Sequence, residues 1–157
     1  MGYYCPADSD QPTVCPVGYY TADLAQSACT KCPAGYYCGD DILDEFSSTA
    51  VKILADEATP CVAGQYCPKA SYLLTSTGLP GTSCPVGTFN PDVGARNVGD
   101  CIECPEGYLC LTSGIADDYA LLTICPAGYY CPGAAISKNA IECPVGAYCP
   151  EGSVSFI

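Results

Sequence analysis

The hydrophobic pattern of this chain consists of short repeated units rather than long helical or strand-like runs. Aromatic and apolar residues cluster in eight copies of a unit whose full form is Cys-Pro-x-Gly-Tyr-Tyr-Cys. We call each copy a corner and number the copies in chain order: corner 1 at residues 2–5 (without its first half), then corner 2 at 15–21, corner 3 at 32–38, corner 4 at 61–67, corner 5 at 84–90, corner 6 at 104–110, corner 7 at 125–131 and corner 8 at 143–149. Such dense repetition indicates a repeat array.

The unit predicts a chain reversal that a disulfide closes. The α-carbons of Cys32 and Cys38 must lie within about 7 Å to bond, whereas six extended steps span roughly 20 Å. Proline suits the second position of a type I turn and glycine the fourth, which places the turn at Cys-Pro-x-Gly. The two aromatic residues then form an extended arm, with one side chain packed on the disulfide and the other pointing outward.

One spacer has a helical pattern. Residues 41–57, within a spacer that spans 39–60, follow an acidic start and carry apolar residues on one helical face: Ile42, Phe46, Ala50, Ile53 and Leu54. This spacing predicts the one helix longer than two turns, and it makes Phe46 a candidate assembly contact. The expected fold class is therefore a small disulfide-rich repeat array, mostly irregular, with short β-hairpins and one short helix, in an elongated rod.

A larger duplication divides the chain. Corners 2 and 5 lack their closing cysteine, since Thr21 and Asn90 stand there, and in both a cysteine appears three residues before the next corner, at Cys29 and Cys101. This predicts a truncated repeat at residues 1–14 and two superrepeats, at 15–83 and 84–157.

Composition points to crosslinks in place of a large apolar core. Leu, Ile, Val and Phe make up about 19% of the chain and the net charge is −12, a composition close to that of disordered proteins. Fifteen cysteines compensate, as in disulfide scaffolds of oxidising compartments. Seventeen acidic against five basic residues argue against binding nucleic acid or anionic membranes, and no run reaches transmembrane length. Because the sequence starts in mid-repeat, we expect a secretion signal upstream of it.

Cysteine parity favours one disulfide scheme and leaves a second open. If complete corners close on themselves, and corners 2 and 5 use the later cysteines, Cys5 is unpaired in this segment and seven pairs form: Cys15–Cys29, Cys32–Cys38, Cys61–Cys67, Cys84–Cys101, Cys104–Cys110, Cys125–Cys131 and Cys143–Cys149. A shifted scheme joins each corner to the next and forces Cys29–Cys32 and Cys101–Cys104 bonds. Spacing does not prove connectivity, but the first scheme is favoured because such tight loops fit disulfide geometry poorly.

The run Cys15-Pro-x-Gly-x-x … Cys29-x-x-Cys32-Pro-x-Gly resembles the cysteine-rich repeats of ephrin-receptor-like and tumour-necrosis-factor-receptor-like ectodomains. Tandem versions rich in Cys-Pro-x-Gly-Tyr-Tyr-Cys-Pro occur in large surface and secreted proteins of protists. The resemblance covers nearly the whole chain except residues 39–60 and 111–124. It implies an extended, disulfide-laddered extracellular rod with first-to-second cysteine pairing in each long repeat. The compact corners and the helical spacer depart from the receptor pattern.

No catalytic, metal or cofactor site is predicted. The chain has no histidine, which excludes imidazole catalysts and Cys-His metal sites. The Cys-x-x-Cys motifs at Cys29 and Cys101 have the spacing of a four-cysteine zinc site, but the cysteine density favours disulfides. Four acidic residues lack the order of a calcium loop and fit a solvated helix start: Asp40, Asp41, Asp44 and Glu45. Carbohydrate binding by the tyrosines stays open, although tyrosines more often cover disulfides.

These features predict a non-enzymatic structural protein, secreted or at the cell surface, that self-assembles head-to-tail into a filament, hair or coat. The expected assembly contacts include three apolar residues beyond the last corner: Val154, Phe156 and Ile157. The expected partners are copies of the chain and O-glycans on Ser/Thr stretches at 47–49 and 75–77, with no nucleic acid and no membrane insertion. The alternative is a segment of a ligand-binding cysteine-rich receptor ectodomain, which needs an exposed patch specific to one corner.

Overall fold

The computed structural model of the chain describes residues 3–157 apart from 22, 24, 41–57, 75, 117–121 and 134–139. The chain forms two compact units, each assembled from several segments. Unit 1 comprises Met1–Val62, Tyr66–Thr82 and Val93–Asn97, and unit 2 comprises Ala63–Gln65, Ser83–Asp92 and Val98–Ile157. The division into superrepeats at 15–83 and 84–157 concerns sequence repeats, and it stays a prediction.

Short strands provide most of the regular structure. Within the described residues they are, in chain order, β1 (Tyr3–Tyr4), β2 (Thr13–Val14), β3 (Tyr19–Tyr20), β4 (Thr30–Lys31), β5 (Tyr36–Asp40), β6 (Thr59–Pro60), β7 (Gln65–Tyr66), β8 (Ser71–Leu73), β9 (Thr82–Ser83), β10 (Thr88–Phe89), β11 (Ile102–Glu103), β12 (Tyr108–Leu109), β13 (Thr123–Ile124), β14 (Tyr129–Tyr130) and β15 (Ile141–Glu142). The helical structure of the described residues is one 3₁₀ turn, Val98–Asp100. The predicted helix at 41–57, with Phe46, lies outside the described residues.

The arm of each corner pairs with the residues that precede the next corner. Tyr20 of β3 lies opposite Thr30 of β4, and Phe89 of β10 lies opposite Ile102 of β11, both antiparallel. The same register joins β1 to β2, β12 to β13 and β14 to β15. In unit 1, β5 also pairs antiparallel with β6 and parallel with β8. The fold is thus the expected disulfide-rich array of short strands and hairpins, in which the strand pairing runs between corners.

The turn lies one residue later in each corner than the sequence suggests. The Tyr19 N–H donates to the Pro16 carbonyl at 3.0 Å, and the equivalent bond recurs in corners 3, 5, 6, 7 and 8. The residues at the centre of the turn are therefore x and Gly, and the glycine φ is +76° to +89° in corners 2 to 8. A positive φ at the third turn position is typical of a type II turn and favours glycine. In a turn centred on Pro-x, the glycine N–H would donate to the carbonyl of the first cysteine. In the structure this N–H donates to a carbonyl of the next corner, as Gly18 does to Cys38.

Disulfides form the centre of each small core. In unit 2 the Cys104–Cys110 disulfide is buried with Phe89, Ile115 and Leu122. Leu109 is buried with the Cys125–Cys131 disulfide in the same unit, and in unit 1 Tyr20 and Ala58 pack on the Cys32–Cys38 disulfide. Ten cysteines have buried side chains, whereas few large aliphatic residues do. Crosslinked sulfur therefore occupies the positions that Leu and Ile hold in larger domains.

Candidate functional site

Two backbone hydrogen bonds join corner 2 to corner 3 in unit 1, and two join corner 3 to corner 4. The Cys32 N–H donates to the Gly18 carbonyl at 2.9 Å, and the Gly18 N–H donates to the Cys38 carbonyl at 3.4 Å. The same two bonds, each 2.8 Å, join Gly35 to Cys61 and Cys67. The turn glycine of one corner is therefore the docking point for both ends of the following hairpin.

Unit 2 repeats this contact at four steps, with bonds of 2.7–3.0 Å. In each step, the glycine bonds with the opening and closing positions of the next corner: Gly64 with Cys84 and Asn90, Gly87 with Cys104 and Cys110, Gly107 with Cys125 and Cys131, and Gly128 with Cys143 and Cys149. Recurrence with different side chains shows that the backbone geometry of the corner, rather than any one side chain, creates the contact.

The side chains add an apolar layer to the same contact. The residue just before the closing position of one corner packs on the disulfide of the following corner, as Tyr20, Phe89 and Leu109 do. The sequence predicts that the arm covers a disulfide, and in the structure this disulfide is the one of the following corner. Burying an aromatic or leucine side chain in this way contributes roughly 1.5–3 kcal/mol.

Returning segments, which follow corners 5, 6 and 8, complete the contact. The N–H groups of Gly94 in unit 1 and Gly114 in unit 2 donate to the carbonyls of Cys61 and Cys84, at 2.8 and 2.9 Å. Gly152 does the same for Cys125. A Cβ added to Gly35 or Gly107 would lie under 3.0 Å from a carbonyl oxygen of such a segment. The sequence reasoning missed these segments, although a glycine recurring three or four residues after a corner marks them.

Thr21 and Asn90 take the place of a closing cysteine without opening the core. Both are buried, at 1% and 2% exposure. The Asn90 side-chain oxygen accepts from the Asp92 N–H at 3.2 Å, while its Nδ2 has no partner among the described residues. The closing position is thus buried in corners 2 and 5 although no disulfide is formed there.

The structure joins seven cysteine pairs, with Cα–Cα distances of 5.8–6.0 Å: Cys15–Cys29, Cys32–Cys38, Cys61–Cys67, Cys84–Cys101, Cys104–Cys110, Cys125–Cys131 and Cys143–Cys149. These are the pairs of the corner-by-corner scheme. All fifteen cysteines lie within the described residues, and Cys5 is the one without a disulfide there; its side chain is exposed.

Peptide mapping checks this connectivity. We expect digestion of the non-reduced protein to release linked peptides that contain Cys61 with Cys67 and Cys84 with Cys101, because each pair lies at bonding distance. The same digest after reduction is the control. Peptides that link Cys38 to Cys61, or Cys67 to Cys84, would support the shifted scheme and contradict the structure.

Corner 8 leaves this docking point open, because no backbone hydrogen bond joins Gly146 to another described residue. The turn glycines are buried in corners 2 to 6 and exposed in corners 7 and 8. Among the described residues, no atom lies within 4 Å of the Cβ position at Gly128 or Gly146. Tyr148, which holds the position of the buried Leu109, is 69% exposed against 4%. Corner 8 therefore has an open surface at Gly146 and the Tyr148 side chain, two of the positions through which the preceding corners of unit 2 contact their successors.

The residues beyond corner 8 line this open surface. Ile157 exchanges two backbone hydrogen bonds with Tyr148, at 3.0 and 3.2 Å, so it extends the arm pairing. Phe156 makes an edge-to-face contact with Tyr130, with ring centroids 5.7 Å apart, yet it stays half exposed. Val154 and Ile157 are also exposed. Three of the predicted assembly residues thus lie at the surface of unit 2, whereas Phe46 is outside the described residues.

Metal clusters, membrane-spanning helices and surface depressions are further features by which the described residues can be judged. They contain no group of three or more His, Cys, Asp or Glu side chains placed to hold a metal ion. They also contain no helix with the length and apolar character that a membrane span needs. Unit 1 has a surface depression of about 290 Å³ lined in part by Lys69, Tyr72 and Pro80. The corner contact, which recurs in both units, is the main candidate for a functional surface.

Comparisons with known proteins agree with a cysteine-rich repeat. The chain is 33% identical over 85 residues, 54% of its length, to "Cysteine repeat modular protein A" of Toxoplasma gondii. It is 34% identical over 85 residues, 47% of its length, to the rat "Sushi, von Willebrand factor type A, EGF and pentraxin domain-containing protein 1". The chain spans about 2% of the length of each of these relatives. No protein-family profile matches it.

Proposed function

We propose that this chain is a non-enzymatic structural segment of an extracellular or cell-surface protein, and that it self-assembles head-to-tail into a filament, hair or coat. The observation that carries the proposal is the corner contact, which recurs at every described step from corner 2 to corner 8. Repeats that bind only their neighbours extend by adding copies of the same contact, and a head-to-tail contact that does not close produces a fibre.

The location outside the cytosol follows from the chemistry of the crosslinks. Seven disulfides in 157 residues require an oxidising compartment to form and persist. The printed name of the Toxoplasma relative, a cysteine repeat modular protein, is consistent with an array used as a module. The proposal has three further parts. The repeats are of the ephrin-receptor-like and tumour-necrosis-factor-receptor-like kind, the chain consists of the two superrepeats, and it carries O-glycans.

Assembly is tested on the oxidised full chain. We expect sedimentation velocity over a concentration series to show growth beyond the monomer, and negative-stain electron microscopy to show filaments. A Cys5→Ser variant is the control for adventitious disulfide dimers, and it is expected to assemble equally well. Monodisperse monomers at every concentration would contradict the proposal.

A ligand-binding receptor ectodomain is the second candidate. The depression in unit 1 favours it, because its volume of about 290 Å³ is near the lower limit of small-molecule pockets, roughly 300 Å³. The depression involves one part of unit 1, whereas the corner contact recurs throughout both units. Monodisperse particles in the assembly experiment would place this function ahead of the first.

A further inference from the structure

The depression in unit 1 combines an aromatic ring, a lysine and free hydroxyl groups in one small site. We propose that it binds a uronic acid residue of a glycan, a sugar ring that carries a carboxylate. The Tyr72 ring packs on the sugar, the Lys69 ammonium donates to the carboxylate, and the Thr82 hydroxyl bonds with the sugar hydroxyls. This inference deepens the second candidate function, ligand binding, and it does not depend on self-assembly.

Two segments form the walls of the depression, and contacts outside it hold both in place. The first wall is β8, which pairs in parallel with β5. The second is the segment 80–82, which lies directly on a disulfide, because a Cβ at Gly81 would be 2.8 Å from the Cys67 Sγ. The Leu74 N–H donates to the Leu79 carbonyl at 3.1 Å and joins the two walls at one end. The depression is therefore pre-formed, as sites for small ligands usually are.

A tight turn before β8 carries Lys69. The Ser71 hydroxyl donates to the Pro68 carbonyl at 2.8 Å, and the Ala70 N–H donates to the Cys32 carbonyl at 2.9 Å. Ala70 has a φ of +67°, a conformation that residues other than glycine adopt uncommonly, so the surrounding contacts must hold it. The backbone of Lys69 is therefore anchored on both sides, although its side chain is exposed.

Three polar side chains around the depression are unpaired within the described structure. Those of Lys69, Tyr72 and Thr82 form no hydrogen bond or ion pair with any described residue. Buried Pro80 and half-buried Leu74 add apolar surface. Of the described residues that line the depression, none is acidic, although the chain carries seventeen acidic residues. An apolar surface with a few unpaired polar groups, one of them cationic, suits a small anionic ligand.

A carboxylated sugar matches this set of groups better than a simpler ligand does. A sugar ring has an apolar face of C–H groups that packs on the ring of Tyr72, and hydroxyls that bond with Thr82. Its carboxylate forms a charge-assisted hydrogen bond with Lys69. A bare carboxylate would leave the aromatic surface uncovered, and a neutral sugar would leave Lys69 unpaired. Because the depression is open on one side, a residue that is linked within a glycan can enter it.

NMR titration of the isotope-labelled, oxidised full chain tests this site, with methyl glucuronide and methyl glucoside as probes. We expect the glucuronide to shift the amide signals of Tyr72, Gly81 and Thr82 saturably. It should bind about threefold to fivefold more tightly than the glucoside, which is the effect of one exposed ion pair. Lys69→Gln is expected to remove this preference, and Tyr72→Leu to weaken the binding of both sugars about fivefold.

Matched variants elsewhere in unit 1 are the controls. Lys31→Gln changes another exposed lysine, and Tyr36→Leu changes an exposed tyrosine, both outside the depression. Each should leave the affinity for both sugars at the wild-type value. Such a result would show that the losses at Lys69 and Tyr72 come from the site rather than from a change in charge or aromatic content.

Three outcomes would overturn the inference. The first is the absence of saturable shifts with both sugars, and the second is equal affinity of the wild-type chain for the two. The third is equal affinity for acetate and the glucuronide, which would show that Lys69 binds any carboxylate and that the sugar ring contributes nothing. None of these outcomes bears on self-assembly, which sedimentation tests separately.

Discussion

Replacing Cys104 and Cys110 together with alanine is expected to destabilise unit 2 by about 2–5 kcal/mol, the usual effect of removing a native disulfide from a small secreted domain. Both sulfurs are buried, and Phe89, Ile115 and Leu122 pack around them. The substitution therefore opens a cavity as well as releasing the hairpin. Urea unfolding of the otherwise oxidised protein measures the loss.

Cys143→Ala with Cys149→Ala is the matched control for that experiment. It removes an equally short disulfide loop at corner 8, where no following corner docks among the described residues. If docking between corners stabilises the unit, amide exchange at Gly87, whose N–H donates to the Cys110 carbonyl, should accelerate in the corner 6 variant and stay near wild type in the corner 8 variant. Equal loss in both variants would show that each corner is stable alone and that the contacts contribute little.

The fold class could be predicted because cysteine spacing and turn residues act locally. A corner must reverse direction within seven residues, whatever surrounds it, and the strands and hairpins of the structure are those of a small disulfide-rich array. The position of the turn could not be predicted, because two carbonyls compete for the Gly18 N–H: that of Cys15, in the same corner, and that of Cys38, in the next corner. The sequence pattern of one corner points to the Cys15 carbonyl. In the structure the Gly18 N–H donates to the Cys38 carbonyl, 20 residues later.

The same limit explains the parts of the candidate site that the sequence did not reveal. The spacing indicates that an arm residue covers a disulfide, but it does not say that Leu109 covers the following one, Cys125–Cys131. Asn90 is interpreted from sequence as a missing cysteine, yet the structure buries it, and its N–H donates to the Ile115 carbonyl of a returning segment. Contacts between successive corners depend on how the hairpins pack, and sequence patterns within one corner carry little information about that packing.

Gly107→Ala is expected to destabilise the protein far more than the same change at Gly146. Both glycines have positive φ, +80° and +89°, so alanine costs about 1–2 kcal/mol at each position. At Gly107 the new Cβ would also lie 2.7 Å from the Gly152 carbonyl oxygen, which adds roughly 1–3 kcal/mol of overpacking. At Gly146 no described atom lies within 4 Å.

Urea unfolding of both variants in a Cys5→Ser background measures this difference. The two substitutions remove the same conformational freedom from the unfolded chain and impose the same strained φ, so their difference isolates the close approach of the returning segment. A gap of about 1–3 kcal/mol is the expected result. Equal destabilisation would mean that the Gly152 segment moves aside at little cost, and the corner contact would then be too weak to hold one copy of the chain against the next.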